Sequence, residues 1–129
     1  MGTIRIGMLG AGGISRAHLA AWAQCPDVAR VVAVADARRE AAEAAAEAAG
    51  GAAIYASWED LLAEADVDAV DIVLPHDLHA PAAIAAAQSG RHVLTEKVMA
   101  CSLAECDAMI AAAEHAGVKL MVCHDRRYH

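Results

Sequence analysis

The stretch TIRIGMLGAGGISRAHL, Thr3 to Leu19, decides the fold. Its alternating apolar residues predict a strand over Thr3–Leu9, and a helix follows from about Ile14 to Gln24. Gly10-Ala11-Gly12-Gly13 lies between them with no room for a longer loop. A strand, a glycine turn and a helix in that order are what a pyrophosphate requires. The turn must be tight, its backbone must be free of Cβ atoms where the anion approaches, and the helix must offer unpaired N–H groups with the positive end of its dipole. Gly10 and Gly12 meet the first two needs, and the opening of the helix near Gly13 and Ile14 meets the third. Ser15 stands where a third glycine or alanine is common, and it is small enough for the helix to pack on the strand. The string GxGxxG alone is weak; seated between strand and helix it is far more specific.

Outward from this turn, strands and helices alternate. Val31–Ala35 reads as a second strand ending at Asp36, and the Ala/Glu-rich run from Arg38 to Ala49 as a helix stopped by Gly50-Gly51. Ala53–Tyr55 is a short strand, and Ser57 caps a helix through Leu62. Ala69–Leu74 is apolar enough for a central strand buried on both faces. Pro75 closes it, and a helix opens near His79 and ends at Gly90. His92–Thr95 is a fifth strand. Ser102-Leu103-Ala104-Glu105 is a capping box for a helix to His115, with the stripe Leu103, Cys106, Ile110 and Ala113 as its inner face. Val118–Cys123 is the sixth strand. The pattern predicts an α/β, doubly wound parallel sheet of the Rossmann type, ordered 3-2-1-4-5-6, formed by residues 1–129 as one dinucleotide-binding domain.

Composition narrows the classes. Alanine dominates the 58% hydrophobic content and phenylalanine is absent, so the core must pack Val, Ile, Leu and Met closely against alanine-faced helices. A net charge of −7 argues against a nucleic-acid partner. No apolar run approaches the roughly 20 residues of a membrane span, and Arg5 breaks any signal-peptide shape. A soluble, cytoplasmic protein is expected. Cys25, Cys101, Cys106 and Cys123 show no CxxC spacing and are expected as free thiols.

Ligands of such sheets bind beyond the carboxyl ends of the strands, near the switch point between strands 1 and 4. Gly10, Asp36, Leu74-Pro75-His76 and Glu96-Lys97 occupy those ends. Asp36 follows Gly10 by about two dozen residues, where an acid accepts both ribose hydroxyls of an adenosine and repels a 2′-phosphate. It can equally cap the following helix. Arg38, two residues on, can hold a 2′-phosphate, so NAD is preferred and NADP stays open. His76 and His79 lack a third ligand at suitable spacing, and no metal is expected there. His79 reads as a first-turn residue at the mouth of the cleft. Lys97 in a partly dry cleft could polarise or protonate a carbonyl, or form a surface ion pair with Glu96. The run from His124 to His129 reads as a solvated tail, and Trp22 and Trp58 as packing residues.

Four ordered segments carry a family resemblance: IGMLGAGGISRAHL, VVAVAD, DAVDIVLPHDLHAPAAIAAAQSGRHVLTEK and AGVKLMVCHDRRYH. They resemble the N-terminal domain of the glucose-fructose oxidoreductase and inositol dehydrogenase family (Gfo/Idh/MocA) over nearly the whole chain. The resemblance implies an NAD(P)-dependent oxidoreductase acting on sugars, polyols or related carbonyl compounds. It places Gly10, Gly12, Gly13 and Ile14 at the pyrophosphate, and Asp36 and Arg38 at the adenosine ribose. Leu74, Pro75 and His79 would line the approach to the nicotinamide, Glu96 would face the cofactor, and Lys97 would be the catalytic lysine.

Two departures follow. The family usually reads Glu-Lys-Pro, often with a cis peptide; Val98 stands at the proline here, and a cis bond before a non-proline costs about 2.5–4 kcal/mol. A trans bond is therefore expected. Family members also continue into a second α/β domain that carries substrate contacts. The 129 residues are expected to bind cofactor with little turnover, with self-association covering the surface such a domain would meet. The rival reading is a non-catalytic nucleotide-binding or interaction module.

Overall fold

A computed structural model describes residues 2–128. Strands β1 (Ile4–Leu9), β2 (Ala29–Ala35), β3 (Ala53–Tyr55), β4 (Ala69–Ile72), β5 (His92–Glu96) and β6 (Leu120–Cys123) form one sheet in the order β3-β2-β1-β4-β5-β6. Every neighbouring pair is parallel, as right-handed β-α-β crossovers dictate. Five helices connect them: α1 (Ser15–Ala23), α2 (Arg39–Ala48), α3 (Trp58–Glu64), α4 (His79–Gln88) and α5 (Leu103–Ala116). A 3-10 turn, His76–Leu78, leads into α4. The expected Rossmann order is the observed one.

The local chemistry explains the boundaries. Ser57 Oγ accepts the Asp60 amide at 3.1 Å and Ser102 Oγ accepts the Glu105 amide at 3.1 Å, so both serines cap their helices. Glu105 closes its half of the box on the Cys101 amide. Gly117 ends α5 in the left-handed conformation, φ +71°.

Alanine sets how close the layers come. One core lies between the sheet and α3, α4 and α5, where Leu61, Ala82, Ala86 and Met109 are almost wholly buried. The other lies under α1 and α2, with Ile6, Met8, Leu19 and Val34. Helix α4 turns five alanines inward, Ala80, Ala82, Ala83, Ala86 and Ala87, which lets its backbone approach the strands. Gly7 makes the same kind of room: a Cβ there would stand 2.8 Å from Leu61 Cδ2.

Helix α5 departs from the expected phase. Its buried residues are Met109 and Ala113, while Leu103 is 84% exposed and Ile110 faces solvent. In an alanine-rich helix the apolar stripe does not point to one face, and packing against α4 chooses it. Helices α1 and α2 cover only half of their side of the sheet. On that side, β5 and β6 leave Met121 52% exposed.

Candidate functional site: a glycine-turn groove and a buried polar cluster

At the carboxyl ends of the strands, the glycine turn, the end of β2 and the exit of β4 enclose a groove of about 750 Å³. Gly10, Gly12, Gly13, Ile14, Asp36, Arg38, Leu74 and Pro75 all line it. The structure thus brings together eight of the residues singled out from the sequence.

Gly10 has φ +102°, and a Cβ on it would lie 2.8 Å from the Val73 carbonyl oxygen. Only glycine meets both conditions. Gly13 has open space where a Cβ would stand, and Gly12 has only the Arg38 guanidinium at 3.7 Å. Their lack of side chains leaves room for something outside the protein. Helix α1 opens at Ser15 with Ile14 at its N-cap and no side-chain cap. Among the described residues the amides of Gly12, Gly13 and Ile14 have no protein acceptor. Three free donors at a helix N-terminus beside an open groove suit an anionic diphosphate, so the residues present fit a dinucleotide. Ser15 is buried and its Oγ donates to the Gly12 carbonyl at 2.6 Å, which fixes the turn from below.

Asp36 does more than end a strand. Its Oδ2 accepts the Ala11 amide at 2.8 Å, and its Oδ1 accepts the Arg38 amide at 2.8 Å. The Arg38 guanidinium adds contacts of 3.1 Å to each carboxylate oxygen. Burial pushes the carboxyl upward, but Arg38 and the Ala11 amide outweigh it and hold Asp36 below the usual carboxylate range.

Three expected residues stand elsewhere. His79 is fully buried rather than at the cleft mouth. Its Nδ1 lies 2.6 Å from the Val98 carbonyl oxygen and its Nε2 lies 2.9 Å from that of Leu74. It ties the β4 exit to the β5 exit from behind, because its position in the first turn of α4 faces the core. His76 and Leu78 line the groove instead. The Lys97–Val98 peptide is cis, not trans as the proline-free sequence suggests; the Val98 carbonyl is the one that His79 engages. Lys97 is exposed and borders a separate depression with His124, Asp125, Arg126 and Arg127. The His129 end of the expected tail lies outside the described residues.

Glu96 belongs to a cluster the sequence did not announce. Its Oε1 lies 2.8 Å from His18 Nε2, and its Oε2 accepts the Lys97 amide at 3.0 Å. On the other side of the ring, His18 Nδ1 lies 2.8 Å from Asp71 Oδ2, which also accepts the indole N–H of Trp22 at 2.8 Å. Trp22 is therefore a hydrogen-bond donor as well as a packing residue. Asp71 is wholly buried in the central strand β4. Burial works against a charged His18 ring, but the two carboxylates prevail and push it up to about 9. Cys123 is pushed upward by burial and by the carboxylates of Glu96, Asp125 and Asp71. His18, Glu96 and Cys123 face a cavity of about 360 Å³ that shares Ile14 with the main groove. Sequence separations of 53 and 78 residues hid these pairs; the one available signal was an acid in an otherwise apolar central strand.

Among the described residues no helix is long and apolar enough to cross a membrane. Comparison with known proteins finds related dehydrogenases. D-apiose dehydrogenase of Paraburkholderia graminis is 38% identical over 121 residues, 94% of this chain and 32% of that enzyme. D-xylose 1-dehydrogenase (NADP(+)) 2 of Haloferax volcanii is 38% identical over 95% of this chain and 38% of its own length. The WlbA dehydrogenase of Bordetella pertussis, solved with NADH and UDP-GlcNAcA, superimposes with a TM-score of 0.95 at 40% identity, covering all of this chain and 38% of that one. The chain thus spans about a third of the length of these relatives. The family model GFO_IDH_MocA, described as an oxidoreductase family with an NAD-binding Rossmann fold, matches residues 4–124, and the chain belongs to that family.

Proposed function

We propose that the glycine-turn groove binds NAD, with the diphosphate on the amides of Gly12, Gly13 and Ile14. The observation that carries this reading is the set of three free donors at the start of α1. Gly10 shapes the turn, and Asp36 receives the adenosine ribose hydroxyls after the Arg38 guanidinium swings off its carboxylate. The half-buried, negatively charged Asp36 repels a 2′-phosphate and so favours NAD, while exposed Arg38 leaves NADP a weaker second. Leu74 and Pro75 wall the groove toward the nicotinamide, and Glu96 approaches from the adjoining cavity across Ile14.

As part of a longer oxidoreductase, the domain would serve hydride transfer between nicotinamide and a sugar, polyol or related carbonyl substrate. The bound nicotinamide supplies or takes the hydride. Lys97 would hold or deliver the proton at the substrate oxygen. Because Lys97 is exposed and outside the groove, these 129 residues alone bind cofactor with little turnover. The same exposure is what favours a second reading, a non-catalytic nucleotide-binding module. Lys97→Ala in a full-length relative separates the two, since only a catalytic lysine makes turnover collapse.

Calorimetric titration of the purified chain with NADH and NADPH, repeated on Asp36→Ala, tests the first reading. Saturable NADH binding that is tighter than NADPH binding, with the preference lost in the variant, supports it. Absence of binding by either dinucleotide refutes it.

A further inference from the structure

We propose that His18, Glu96 and Cys123 form a divalent-metal site of the zinc class, built on the side of the sheet that α1 leaves open. Their ligand atoms all lie within 4.8 Å of one another. The fold itself makes this convergence. Glu96 and Cys123 are register partners on the parallel strands β5 and β6, so their side chains leave the sheet on the same face. Helix α1 lays His18 over that face, with Nε2 already 2.8 Å from Glu96 Oε1.

The dimensions suit a metal. Zinc takes imidazole nitrogen, carboxylate oxygen and thiolate sulfur at about 2.0–2.3 Å, so ligand atoms around one tetrahedral ion stand roughly 3.3–3.8 Å apart. The His18–Glu96 contact need open by no more than about 1 Å, and the thiol, within 4.8 Å of both, need close by no more than about 1.5 Å for an ion to sit between them. The mixed nitrogen, oxygen and sulfur set excludes magnesium and calcium, which demand oxygen ligands, and matches zinc.

The shell behind the site is also in place. Asp71 engages the far nitrogen of His18 at 2.8 Å, and Trp22 fixes the same carboxylate oxygen at 2.8 Å. A buried carboxylate on the distal nitrogen fixes a metal-binding histidine in its tautomer and orientation. Among the described residues the protein supplies three ligands, and the fourth position opens to the cavity of about 360 Å³. On metal entry the Nε2 proton of His18 and the thiol proton of Cys123 leave to solvent.

The proposal does not depend on dinucleotide binding, and its test uses metal ions alone. The reduced, chelator-treated chain is titrated with Co²⁺ and then with Zn²⁺. One cobalt per chain is expected, giving the intense visible bands of tetrahedral coordination and a near-ultraviolet thiolate-to-cobalt band, both bleached by zinc. Cys123→Ala should abolish the thiolate band and weaken zinc binding by at least about 10-fold, with its far-ultraviolet circular dichroism unchanged. Cys25→Ala, altered in the wall of the same cavity, should keep both signals. Asp71→Asn should lower zinc affinity about 10–100-fold. A wild-type chain without the thiolate band, a band that survives in Cys123→Ala, or one that vanishes in Cys25→Ala would each overturn the assignment.

Discussion

Asp36 Oδ2 accepts the Ala11 amide at 2.8 Å, fastening the end of β2 to the middle of the glycine turn. One carboxylate therefore fixes the turn and stands at the ribose position of the proposed cofactor. Asp36→Asn keeps the side chain's shape and an acceptor oxygen for the Ala11 amide, but removes the charge. NADH affinity should fall about 10-fold, roughly the worth of a charge-assisted bond, with NADPH affinity unchanged or higher. Arg38→Ala should act oppositely, sparing NADH and weakening NADPH. Paired titrations with the two dinucleotides read both changes.

Gly10 and Gly13 separate a structural glycine from a ligand-facing one. At φ +102°, with the Val73 carbonyl 2.8 Å from a Cβ, Gly10→Ala should cost more than about 1 kcal/mol of stability. Gly13 has open space around its Cβ position, so Gly13→Ala should stay within about 0.5 kcal/mol of wild type while weakening NADH binding. Urea melts and a dinucleotide titration of each variant check the pair.

The His18 cluster carries a pH signature. With the folded ring raised to about 9 from an ordinary value of 6.5, its contribution to stability is complete below about pH 6.5 and declines as pH rises through 9. Asp36, held low, acts at the other end: its contribution is present above the ordinary carboxyl range and is lost as pH falls through its depressed value. Urea midpoints measured from pH 6 to 10 should fall for wild type. The slope should be shallower in His18→Gln, which has no proton to lose.

Much of this architecture could be read from local pattern. Strand order followed from β-α alternation, and the turn from Gly10 and Gly12 between periodic segments. What failed depended on which way a residue faced. His79 begins α4 as expected, yet its ring points into the core and bonds Leu74 and Val98 rather than a ligand. Helix α5 has apolar residues all round, so the stripe containing Leu103 and Ile110 gave no phase. His18, Asp71, Glu96 and Cys123 lie on four separate elements; the parallel register of the sheet aligns Glu96 with Cys123, and the packing of α1 on the sheet brings His18 to Glu96 and Asp71.

The buried bridge at His79 can be tested through stability alone. His79→Ala would leave the Leu74 and Val98 carbonyls without their partner and open a cavity at a wholly buried position. A loss of about 1–3 kcal/mol per unsatisfied group is expected, enough to lower the urea midpoint clearly.

The central claim is that the amides of Gly12, Gly13 and Ile14 receive a diphosphate. Amide NMR of the isotopically labelled chain during titration with NADH, and separately with ADP, tests it most directly. The account predicts that these three resonances shift furthest, in the same direction for both ligands, and saturate at one ligand per chain. Resonances that stay in place while either ligand binds elsewhere, or that never respond at saturating NADH, would contradict it.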